Sequence, residues 1–196
     1  MNKISFVVHF VVIIFISMSA HPFSSSSYLI ANSAMLLFDY EEAYIHYQGS
    51  DLRNFTKEDL EKKLLAFVNT NSLNEASIVA KEILQYDKTN QEAWLVLLTA
   101  AKLKNLDKPF RDFEKQNKIE SLDMIKFIFY HNLQLKNNNY DIAQSIFDII
   151  QTLTRQGSNK LQNYNYLLFY LSLSINFNQK FNEAYFYLAQ LYQNLK

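Results

Sequence analysis

The sequence predicts an all-α protein, an α-solenoid of about five antiparallel helix pairs. Three observations carry the prediction: two glycines and two prolines in 196 residues, apolar side chains at helical spacing, and a short phrase that returns at a nearly constant interval. Tight hairpins, strand corners and phosphate-cradling loops depend on glycine and proline, so their scarcity favours long uninterrupted helices. A chain of this length can bury one continuous core. Its 49% hydrophobic residues, with 16 Phe and 13 Tyr, supply the large groups for it.

The chain opens on an address. Lys3 precedes residues 4–16, a run without acid, amide or base apart from His9. This has the form of a secretory n-region and h-region, and it falls short of the roughly 20 residues that a spanning helix needs. Ser17, Ser19 and Ala20 supply the small residues for cleavage after Ser19 or Ala20. Residues 1–20 are therefore expected to be a signal peptide, sending the chain to the periplasm or cell envelope. An uncleaved N-terminal anchor and a buried first helix are the alternative readings.

Residues 24–196 form the repeat domain. Its phrase is a large residue, two mostly polar ones, then a small residue that opens an amphipathic stretch. It reads Tyr40-Glu41-Glu42-Ala43, Leu73-Asn74-Glu75-Ala76, Tyr140-Asp141-Ile142-Ala143 and Phe181-Asn182-Glu183-Ala184, with Asp107-Lys108-Pro109-Phe110 as a weaker version. The anchors fall at 43, 76, 110, 143 and 184, so the separations are 33, 34, 33 and 41. The last interval holds the polar stretch 155–160 around Gly157, which reads as an inserted loop.

Each anchor is flanked by two helical patterns. Leu60, Leu64, Leu65, Phe67 and Val68 precede the second anchor; Ile78, Val79, Ile83, Leu84 and Tyr86 follow it. Trp94, Leu95, Leu97, Leu98 and Ala101 precede the third, and Ile146, Phe147, Ile149, Ile150 and Leu153 follow the fourth. Thr89 with Glu92, Ser72 with Glu75 and Asp39 with Glu42 have the spacing of capping boxes at helix starts. The turns between paired helices, such as residues 69–72 and 137–139, are short enough to force antiparallel neighbours.

This period and order resemble the tetratricopeptide repeat, in particular exported bacterial proteins of that superfamily. The repeat carries Trp, Leu-Gly and Tyr in its first helix, and Ala, a bulky residue and Pro in its second. Trp94 and Leu97 match the first helix; Ala43, Ala76, Ala143 and Ala184 match the small residue; Tyr47, Phe147 and Leu188 match the bulky one. The first-helix glycine is replaced by Ala31, Leu64, Leu98, His131 or Ser172, and no unit carries the closing proline.

The resemblance implies a right-handed superhelix whose first helices line a concave groove, and a non-enzymatic scaffold for protein binding. Carried onto this chain, the partner-binding groove is Leu95, Thr99, Ile128, Asn132, Tyr166, Phe169 and Leu173, flanked by Glu58, Glu61, Glu92 and Asn176. The expected occupant is a peptide or helix of a partner, basic at one end and apolar at the other. The alternative is a structural subunit or dimerising fragment of a larger envelope complex. It would self-associate or dock through the C-terminal helix, whose residues 184–196 are apolar on several sides.

Composition argues against other classes. Nineteen basic residues balance nineteen acidic ones, so no uniform field draws nucleic acid. The absence of cysteine removes disulfides, thiolate metal sites and thiol catalysis. His9, His21, His46 and His131 lack the pairing of a metal site. No catalytic residue, cofactor or metal is expected, and membrane contact is expected only through an uncleaved N-terminal segment.

Overall fold

The computed structural model describes residues 25–50, 55–116, 122–132, 134–155 and 160–194. The expected signal peptide at residues 1–20 and the expected loop at Gly157 lie outside the described residues. Ten helices are described: α1 (Ser25–Leu36), α2 (Tyr40–Tyr47), α3 (Lys57–Asn69), α4 (Leu73–Tyr86), α5 (Gln91–Leu103), α6 (Lys108–Glu114), α7 (Asp123–Phe129), α8 (Asn139–Arg155), α9 (Lys160–Phe177) and α10 (Asn182–Asn194). A small hairpin, β1 (Tyr130–His131) and β2 (Gln134–Leu135), sits between α7 and α8.

Local chemistry sets the helix boundaries. Asp39 caps α2 by accepting from the Glu42 N–H at 3.2 Å. At α3 the box is Thr56 with Asp59, each side chain accepting the other's backbone N–H. Two expected caps differ. Asn90, one residue beyond Thr89, caps α5 through the Ala93 N–H at 2.8 Å, and Ser72 stands at the start of α4 without a side-chain cap bond.

The first three pairs turn in the same way. Phe38, Asn71 and Asn105 each have positive φ, near 57°, 58° and 53°. The following residue donates back across the helix end in each case: Asp39 to the Ala34 carbonyl, Ser72 to Phe67 and Leu106 to Ala101, at 2.8–2.9 Å. This is a left-handed helix stop that satisfies carbonyls left open by the last turn. The three stops are 33 and 34 residues apart, the spacing of the first three sequence phrases.

Ala43, Ala76, Ala143 and Ala184 are all fully buried, small enough to let a neighbouring helix approach closely. Edge-to-face rings then link successive elements: Trp94 of α5 with Phe113 of α6 at 5.2 Å, Phe110 with Phe129 of α7 at 5.7 Å, and Phe129 with Phe177 of α9 at 6.1 Å.

The fourth unit breaks the pattern. The expected first helix running through His131 and Asn132 stops at Phe129. Tyr130 pairs with Leu135 and His131 with Gln134 in the hairpin instead, and Lys136 N–H donates to the Phe129 carbonyl at 2.7 Å.

Helix α9 closes the molecule. It packs on its chain neighbours α8 and α10, and also on α3 and α5. Tyr40 Oη of α2 donates to Asn165 Oδ1 at 2.5 Å, and Ser172 Oγ donates to Asn69 Oδ1 of α3 at 3.0 Å. Helix α9 thereby touches α2, α3 and α5, and the buried apolar residues form one continuous core.

Candidate functional site

The closure by α9 decides where the expected groove residues lie. Leu95 and Thr99 of α5, Ile128 of α7, and Phe169 and Leu173 of α9 are fully buried. Their burial differs from the expectation of an open groove: α9 packs directly on α3 and α5, so these side chains lie in the shared core. Asn132 is exposed but stands in the hairpin turn with φ near 48°, not on a helix face. Tyr166, at 39% exposure, is the residue of the set that stays on a helix and reaches the surface.

Two surface features flank α9. At its N-terminal half Tyr166 faces the acids of α3 and α5. Burial raises the Tyr166 phenol, and the charges of Glu92 and Glu61 raise it further. Glu92 is half-buried, and its carboxyl is raised above the usual value by desolvation and then by Glu61 and Asp87. Glu61 Oε1 accepts from Asn90 Nδ2 at 3.0 Å, while Lys57 is held by Asp87 at 2.7 Å. Tyr170, one turn deeper, is raised by burial and donates to Met124 Sδ at 3.7 Å.

At the other end lies a cleft of about 380 Å³ between the C-terminal end of α3, the last turns of α9, and α10. Its polar lining comes from Asn69, Asn71, Ser172, Asn176 and Gln179, with Tyr185 among its apolar walls. None of the lining residues is charged. Each carboxamide offers both a donor and an acceptor, so the cleft matches neutral groups that do the same. Asn69 Oδ1 accepts from Ser172, but its Nδ2 is buried with no hydrogen-bond partner among the described residues. An unpaired buried donor is costly, so this corner favours an added acceptor, from water or from a ligand.

Sequence reasoning named Asn176 as groove-flanking and read residues 69–72 only as a turn. What brings Asn69 to Ser172 is a contact between helices 103 residues apart, which no local signal announces.

Among the described residues no group of three or more His, Asp or Glu stands close enough to hold a metal ion. No described helix is long and apolar enough to cross a membrane. The class defined by these features is an all-helical protein with one neutral, amide-lined cleft and one acidic, tyrosine-lined edge. Compared with protein-family models, curated proteins and solved structures, the chain matches none.

Proposed function

We propose that this chain is a non-enzymatic interaction scaffold of tetratricopeptide-like helix pairs, exported to the periplasm or cell envelope, that holds an extended segment of a partner protein. The observation that carries the reading is the neutral cleft beside α9, whose lining combines amide side chains with Val68, Ile175 and Leu188. Amides pair with the N–H and C=O groups of a strand, and the apolar places between them receive its alternate side chains. Support for the repeat comes from the helix stop recurring at Phe38, Asn71 and Asn105.

Selection from a displayed random-peptide library tests it. Enrichment of uncharged, extended sequences that lose binding to Asn176→Leu supports the reading. Absence of any enriched sequence, or binding indifferent to that substitution, overturns it.

A second reading has its own observation. Helix α10 exposes Phe186 at 65%, with Tyr185 and Tyr192 also outward. A structural subunit would dock through this face, and one stoichiometric permanent partner recovered with the native protein would favour that role over transient peptide capture.

A further inference from the structure

Helix α1 is apolar on both its inner and its outer face. The face it turns to the core carries Ala31, Ala34 and Met35, together with two polar residues. Tyr28 Oη donates to Asp59 Oδ1 at 2.7 Å, and Asn32 Oδ1 accepts from Tyr47 Oη at 3.2 Å. These bonds fix the rotation of the helix. The opposite face, which a water-facing helix fills with charge, presents Leu29, Ile30, Ser33 and Leu36, and Leu37 continues it into the turn. Leu36 and Leu37 are 79% and 78% exposed, and Leu29 is 63% exposed. No residue of α1 carries a charge.

Such a stripe has no reason to face water, and the sequence beside it indicates what covers it. Residues 4–16, apolar apart from Ser5 and His9, end nine residues before Ser25, a tether that spans about 30 Å at most. A chain that keeps this run and inserts it in a bilayer holds α1 at the lipid surface.

We infer that the outer face of α1 is a lipid-contact surface, lying in the bilayer interface beside the N-terminal anchor. The inference rests on the anchor alternative for residues 1–20 and is independent of the peptide cleft. The nearest charged residues along the chain are acidic, Asp39, Glu41 and Glu42, so the contact is apolar rather than an attraction to anionic lipid. It therefore forms on zwitterionic membranes and withstands salt.

The absence of native cysteine makes a direct test simple. The full chain carrying Leu36→Cys or Leu29→Cys is labelled with an environment-sensitive fluorophore and mixed with phosphatidylcholine vesicles that contain a lipid-borne quencher. A probe at the exposed Gln85 of α4, placed by Gln85→Cys, is the control.

The expected result is a blue shift and at least threefold quenching at 29 and 36, with none at 85, unchanged in high salt. Three results overturn the inference. The vesicle-bound chain can leave 36 in a water-like environment, or the chain can fail to bind vesicles. The third is shielding of 36 before any lipid is added: dependence on protein concentration would then assign the face to a second copy, and independence to the chain's own residues 4–16.

Discussion

Lys63 is buried on α3, where its ammonium donates to the Tyr47 carbonyl at 2.8 Å and to Ser50 Oγ at 2.5 Å and lies 5.1 Å from the Phe55 ring centre. Burial pulls its pKa down to about 8. Between that value and the ordinary 10.5 the unfolded chain holds a proton that the folded state has released, so stability rises with pH across this window. Lys63→Met flattens the rise, measured as the slope of unfolding free energy against pH in urea titrations. Glu92 has the opposite sign. Desolvation raises its carboxyl, so the folded state keeps a proton that the unfolded chain loses, and stability falls as pH climbs above 4.5. Glu92→Gln is expected to melt higher than the wild type at neutral pH, with the two converging in acid. At the helix stops, Asn71 and Asn105 tolerate positive φ through their short polar side chains. Asn71→Ala is expected to lower stability by about 1 kcal/mol, read from denaturant midpoints.

Elements depend on the size of the residue at each crossing. Ala76 has no exposed surface, so Ala76→Leu forces α4 away from its neighbours and is expected to cost about 1–3 kcal/mol. The same change at Ile78, on the exposed side of α4, is expected to be nearly neutral, and thermal melts of the two variants separate packing from propensity. The fourth unit shows what a local pattern leaves out. The sequence places Ile128, His131 and Asn132 on one helix, but the chain leaves helical form at Phe129, whose ring packs edge-to-face on both Phe110 and Phe177. Lys136, folded back by the hairpin, then donates to the Phe127 carbonyl at 2.8 Å and to Ser145 Oγ at 2.6 Å. The bond to Phe127, with that from the Lys136 N–H to the Phe129 carbonyl, satisfies part of the helix end that the missing turns would have covered.

The whole molecule is held by the return of α9 to the first pairs. Tyr40→Phe removes the bond to Asn165, 125 residues away, and is expected to cost about 1 kcal/mol. If the closure is cooperative, amide exchange will accelerate in α3 and α9 together, not in α2 alone. The same return explains why most of the expected groove residues are buried. Phe169 and Leu173 of α9 have no exposed surface, nor have Leu95 and Thr99 of α5, the helix on which α9 packs. What remains accessible lies at the two ends of α9: the acids with Tyr166, and the amides around Asn69 and Asn176.

The sequence by itself determined the helical character of the chain and several of its turns, because helical periodicity, cap residues and buried alanines act over a few residues and leave their mark in the local order of letters. Ala43, Ala76, Ala143 and Ala184 were legible for that reason, and so was the cap at Asp39. Tertiary structure alone decided the return of α9 to α3 and α5, the burial of Leu95, Thr99 and Phe169, and the meeting of Asn69 with Ser172. Such contacts join residues far apart along the chain, and no local pattern encodes them.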